Sequence, residues 1–234
     1  MLPVGAVLVD FDGTACSRDV AELLLSEFGD PSWPEYDAAV DRHEIGLRDA
    51  IQIQDGLLHA TGDELIAFAV EHCPLDATFP PFVEWLNAAG IPLAVVSDGF
   101  GFYIRPILEA AELGALTVFS NEQVWGADGL PAGMRFVNGH EVCVGCGTCK
   151  MNAVLRYRDA HGPVAFIGDG QSDRYGAIYA DMTFAKGELI DHCVRDGVPF
   201  LPWEDFDQIR RSLETTPSAP GPVAPNVCPG WTMP

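Results

Sequence analysis

Basic side chains are scarce in this chain: 13 Lys and Arg stand against 34 Asp and Glu, for a formal net charge of −21. Nucleic acid and anionic membrane surfaces are bound through stripes of Lys and Arg that this composition does not supply, so neither is an expected partner. A small anionic ligand is still allowed, because it needs only one local positive site. Long apolar runs are missing too. No stretch approaches the ~18 residues of a membrane span. The N-terminal MLPVGAVLVDF lacks the basic flank and long apolar core of a signal peptide and reads as a first strand. Seven cysteines make an odd count without secretory context, which points to a reducing, cytoplasmic location.

What is present is a globular composition, 48% hydrophobic in 234 residues, enough for one good core and a smaller satellite unit. Apolar runs at residues 6–9, 91–99 and 163–168 read as strands buried on both faces. Between and after them, helical periodicity appears at 20–28 with Asp19 as N-cap, at about 82–89, 102–112 and 150–160, and at 172–180, 188–196 and 204–213. Short strands are expected at 116–121, 182–185 and 198–201, with a Gly-rich hairpin over 121–140. The alternation predicts an α/β fold, a Rossmann-like parallel sheet with helices on both faces. Residues 30–76 interrupt it with two or three short helices and read as a small helical cap inserted after the first strand. The core is then 1–29 and 77–213, followed by a Pro-rich tail over 214–234.

LVDFDG, VVSDG and FIGDG all finish at the carboxyl edge of the sheet, where open α/β sheets bind ligands. One Asp-Gly pair is only a common turn, but three in register gather Asp10, Asp12, Ser97, Asp98, Asp169 and Asp173 at one crevice. Carboxylates collected from separate strands suit Mg²⁺, with Asp10, Asp12 and Asp169 as ligands and Asp173 behind them. Phosphoryl transfer needs little beyond positioning and charge. Asp10 would attack phosphorus, and Asp12 would serve as general acid and then base. Ser97, Asp98 and Gly99 would cradle the phosphate, and Lys150 would add a fixed positive charge.

DFDGT (10–14), VVSDG (95–99), Lys150 and GDGQSD (168–173) resemble, in order, the four motifs of the haloacid dehalogenase-like phosphatases. The helical stretch at 30–76 resembles the cap of the phosphoserine phosphatase-like subgroup. Within it, DFDGT with Asp19-Val20, IGLRDAIQIQ, SDGF and CxxCxxCK is most similar to two kinds of enzyme. These are the methionine-salvage phosphatases, which act on a methylthiopentenyl phosphate, and the phosphoethanolamine/phosphocholine phosphatases. Phosphoserine phosphatases place a Glu where this chain has Asp19, and their carboxylate-binding cap Arg falls near Gln54. The resemblance thus implies a Mg²⁺-dependent phosphatase of a small phosphorylated metabolite, with Asp19, His43, Arg48 and Gln54 as specificity candidates. A phosphotransferase with the same aspartyl phosphate remains an alternative, as does a zinc- or partner-binding protein with a vestigial site. His140, Cys143, Cys146 and Cys149 have near-ligand spacing for Zn²⁺, but the leading expectation is a tight turn that positions Lys150.

Overall fold

Four consecutive apolar residues, Ala6–Val9, form the central strand β1, and none of the four is accessible to solvent. The computed structural model describes residues 2–42, 44–143 and 145–223. The further strands are β2 (Leu93–Phe100), β3 (Thr117–Trp125), β4 (Pro131–Arg135), β5 (Val164–Gly168), β6 (Met182–Ala185) and β7 (Phe200–Pro202). They form one seven-stranded sheet in the order β4-β3-β2-β1-β5-β6-β7. All neighbours are parallel except β3 and β4. The strand order reverses at β1, which puts a ligand crevice at the carboxyl ends of β1, β2 and β5.

Alternate residues of β1 point to opposite faces. Val7 and Val9 join one apolar layer with Val95, Ile167, Phe82 and Phe206; Ala6 and Leu8 join the other with Val96, Phe166, Val154 and Ile178. The first layer is covered by α1 (Val20–Phe28), α4 (Gly62–His72), α5 (Phe79–Ala88), α6 (Gly101–Ala110) and α10 (Phe206–Thr215), the second by α7 (Lys150–His161), α8 (Arg174–Tyr179) and α9 (Glu188–Asp196). The α/β class and both-face coverage are as the sequence implies. Asp19 caps α1, accepting the Glu22 N–H at 2.8 Å.

Two boundaries differ from expectation for physical reasons. The short strand at 116–121 and the first hairpin arm are one strand, β3. Its first half pairs with β2 and its second with β4, because Asn121 at the handover donates its Nδ2 to Asp98 O of β2 and the chain stays extended there. Helix α5 starts at Phe79 rather than about 82, since Pro80 and Pro81 occupy its first turn, where a missing N–H costs nothing.

Residues 30–76 hold three helices: α2 (Pro34–Asp41), α3 (Leu47–Asp55) and α4. The tail is partly docked: Ala219 packs on the first layer and Gly221 N–H donates to Asp181 O at 2.9 Å. Residues 224–234 lie outside the described residues. No helix among the described residues is long and apolar enough to cross a membrane.

Candidate active site

Asp10 follows β1 directly and extends its pairing, donating its N–H to Ile167 O at 2.9 Å; only 5% of it is exposed. The chain then turns over Phe11–Ala15, with Asp12 extended and Gly13 at φ +70°. A side chain at Gly13 would strain the backbone and run into the Asp169 carboxylate. Thr14 Oγ1 donates to Asp169 Oδ1 at 2.6 Å, tying this turn to the end of β5.

Lys150 opens α7 with its side chain buried. Its Nζ lies 2.9 Å from Asp10 Oδ1 and 2.6 Å from Asp173 Oδ1, and donates to Ser172 Oγ at 2.9 Å. Asp173 Oδ2 accepts the N–H groups of Asp169 and Gly170 at 2.9 and 3.1 Å. Burial alone would favour the neutral amine, but Asp10, Asp173 and Asp98 outweigh it and hold Lys150 firmly protonated.

The acids respond in the opposite sense. Burial, followed by Asp173, raises Asp10 well above the ordinary carboxylate range, although Lys150 pulls it down. Burial, with Asp173 adding, pushes Asp169 up to about 6. Carboxylate oxygens of Asp10, Asp169 and Asp173 lie within 4.8 Å of one another. Hard oxygen donors this crowded are a donor set that Mg²⁺ fits, and a divalent cation would relieve the charge that raises Asp10 and Asp169.

The Asp12 carboxylate faces elsewhere. Oδ1 accepts Val20 N–H at 3.0 Å, while Oδ2 accepts the Tyr103 hydroxyl at 2.9 Å and Ser97 Oγ at 3.3 Å. Burial, then the nearby Asp19, pushes its pKa up to about 7. The carboxylates that lie within metal-ligand reach of one another are those of Asp10, Asp169 and Asp173, and the sequence-expected Asp12 side chain is not among them. Asp12 is directed toward the starts of α1 and α6. Ser97 Oγ also accepts Gly99 N–H at 2.9 Å. Asp98, grouped with Ser97 and Gly99 from the sequence, sends its Oδ1 to Thr148 N–H at 2.5 Å, in the turn before Lys150.

A cavity of about 610 Å³ opens above Asp10, Asp12 and Asp169, and Asp19 and Gln54 line it. Gln54 Nε2 donates to Asp37 Oδ1 at 2.8 Å and to Trp33 O at 3.3 Å, joining α3 to α2. Arg48 is not in the cavity wall; it reaches the Cys146 carbonyl instead, at 3.0 Å. His43 lies outside the described residues. His140, Cys143, Cys146 and Cys149 line one small cavity beside Lys150, and His140 Nδ1 accepts the N–H groups of Val142 and Cys143, each at 3.1 Å. Among the described residues, the aspartate trio is the one group of three or more acidic, His or Cys side chains whose ligand atoms lie within 4.8 Å.

Two participants escape the sequence reading: Thr14 and Lys186. Lys186 Nζ sits 4.0 Å above the Trp203 ring; burial lowers its pKa, against the pull of Asp169. A signal for it exists, since the chain has only two lysines, Lys150 and Lys186. Lys150 touches Asp10 and Asp173 from behind the cavity wall, and Lys186 lies within electrostatic reach of Asp169 and Asp10.

Known proteins share this architecture. The chain is 26% identical to a 2-hydroxy-3-keto-5-methylthiopentenyl-1-phosphate phosphatase of Bacillus velezensis over 209 residues, 89% of each protein. A substrate-bound phosphoserine phosphatase structure superposes with TM-score 0.70 at 17% identity, covering 90% of this chain and 98% of the other. A phospho-aspartyl intermediate analogue of phosphoserine phosphatase gives 0.69 at 17%, covering 90% and 99%. At that identity these structures report the fold. A model of the haloacid dehalogenase-like hydrolases matches residues 7–177, from β1 to beyond β5. That match spans more than half of the sequence, and the chain belongs to the haloacid dehalogenase-like hydrolase family.

Proposed function

We propose that the protein is a cytoplasmic phosphatase that hydrolyses a phosphomonoester of a small metabolite through an aspartyl phosphate on Asp10. The supporting observation is the division between two acids two residues apart. Asp10 is paired with Lys150 at the cavity floor, and Asp12 is held separately with a pKa of about 7. Asp10 attacks phosphorus as the ester P–O bond breaks, and protonated Asp12 gives its proton to the departing alkoxide. The Asp12 carboxylate then takes a proton from water, which attacks the acyl phosphate and frees Asp10 and inorganic phosphate. Lys150 and Ser97 hold the phosphoryl oxygens. Asp10 and Asp169, with Asp173 beside them, would hold Mg²⁺, which when bound supplies neutralising charge for the nucleophile and the phosphate. Helices α2 and α3 act as the cap.

The cavity wall limits the leaving group. It carries Asp19, Glu22, Asp37 and Glu188 beside Leu24, Val40 and Ile51, and among the described residues no Lys or Arg lines it. A leaving group with a carboxylate, as in phosphoserine, would meet repulsion. An uncharged or ammonium-bearing one would not. The keto-pentenyl phosphate named for the Bacillus relatives has an uncharged leaving group and fits that wall.

The test is phosphate release with Mg²⁺ over amino-alcohol, keto-sugar and amino-acid phosphates. Neutral or ammonium esters should be preferred to phosphoserine by at least about 10-fold in kcat/KM. Asp10→Asn should abolish release with the circular dichroism spectrum unchanged. Full activity of that variant, or of the native protein in EDTA, would overturn the mechanism.

A further inference from the structure

Lys150 stands at the first position of α7, where a residue's N–H has no intrahelical partner. The placement of its Cα therefore depends on the turn before it, residues 146–149. Three different parts of the fold hold that turn. Cys149 N–H donates to Asn138 O at 2.8 Å, Thr148 N–H donates to Asp98 Oδ1 at 2.5 Å, and Arg48 Nε donates to Cys146 O at 3.0 Å. The first tie comes from the segment after β4 and the second from the end of β2. The third comes from α3, in the stretch that covers the cavity.

Arg48 is built into this place. Its guanidinium lies 4.7 Å from the Phe136 ring centroid, and Nη2 is buried. A side chain at Gly139 would collide with Nη2, so glycine there makes room for it. On the same helix Leu47, Ile51 and Gln54 line the cavity, whereas Arg48 does not. One helix thus touches the substrate space with some residues and the lysine-bearing turn with another.

We propose that Arg48 is a positioning residue for Lys150: through the Cys146 carbonyl, α3 couples the cover of the cavity to the placement of the Lys150 ammonium between Asp10 and Asp173. This rests on the reading of Lys150 as the charge that faces the phosphate. The guanidinium never meets substrate. Its removal leaves binding nearly intact and loosens the geometry on which turnover depends, a displacement that can cost about 100-fold for about 1 Å.

Two measurements on the full chain test it. In Arg48→Met, amide hydrogen exchange at residues 147–150 should accelerate by at least about 10-fold, with α9 amides unchanged. In the same variant kcat should fall about 10- to 100-fold with KM within about 2-fold, and Arg48→Lys should restore part of the loss. In a Lys150→Arg background, Arg48→Met should have no further effect, as expected for residues acting as one unit. If Arg48→Met does not fold, Phe136→Leu, which removes only the ring beneath the guanidinium, should move the same quantities in the same direction by less. Unchanged exchange overturns the proposal, as does a loss carried by KM alone or an undiminished effect in the Lys150→Arg background. A native protein that releases phosphate from no ester overturns the phosphatase reading, and the exchange measurement then still decides on Arg48.

Discussion

Asp10 and Asp12 are separated by one residue and live in different electrostatic worlds. Lys150 lies 2.9 Å from Asp10, whereas the partners of Asp12 are neutral donors: Val20 N–H, Tyr103 and Ser97. The Tyr103 hydrogen bond stabilises ionised Asp12 and lowers its pKa, while Asp19 raises it. Tyr103→Phe should therefore lift Asp12 above about 7 and keep it protonated to higher pH. The alkaline limb of kcat/KM, which reports the free enzyme's acid, should move upward. Asp19→Asn should move it downward. Shifts in one common direction would show that the limb belongs to another group. At this scale Asp10, Asp12, Ser97 and Lys150 are legible in the sequence by their motifs. The direction in which Asp98 and Arg48 turn is not, because each could hydrogen-bond on either side of its backbone and only packing selects one.

The elements are specified more locally. Apolar periodicity, the Asp19 cap and the Pro pair in α5 are short-range features, and most helices and strands fall within a few residues of where the pattern puts them. The stability of the α5 and α10 layer is a matter of contact. Phe82 stacks on Trp85 at 5.8 Å and meets Phe206 at 5.3 Å, and only 2% of it is exposed. Phe82→Ala should cost about 3–5 kcal/mol, the range for emptying a buried aromatic site. The expected sign is a lower denaturant midpoint with an unchanged slope. A cost below about 1 kcal/mol would mean that α5 and α10 collapse to fill the space. In β3 the turn-favouring Ser120 and Asn121 mark a strand end that the fold does not make, since Asn121 is bound to Asp98 O across the sheet and the chain runs on to pair with β4.

Across the whole molecule, 34 acids meet 13 bases, and several of the acids are forced together at one crevice. Burial raises Asp12 to about 7 and Asp169 to about 6, from 3.8 in each case. The folded chain therefore binds protons at these sites more tightly than the unfolded chain. Their contribution to stability is full below about pH 4 and is lost as the pH rises through 6 to 7. Metal-free protein should accordingly lose melting temperature between about pH 5 and pH 8, less so in Asp169→Asn. Added Mg²⁺ should raise Tm more at the higher pH, where Asp169 is ionised and available as a ligand. A Mg²⁺ effect independent of pH would remove the acidic trio as its site.

The sequence by itself determined the α/β alternation, the strand ends that carry DFDGT, VVSDG and GDGQSD, and the isolated Lys150. Each of these is a backbone-periodic or motif property that survives without knowledge of neighbours. Only the tertiary structure decided that Asp173 rather than Asp12 is grouped with Asp10 and Asp169, that Asp12 faces Tyr103, and that Arg48 reaches the turn before Lys150. Those contacts join residues that are distant in the chain, and a polar side chain's partner is fixed by whichever donor or acceptor the folded layers bring within about 3 Å.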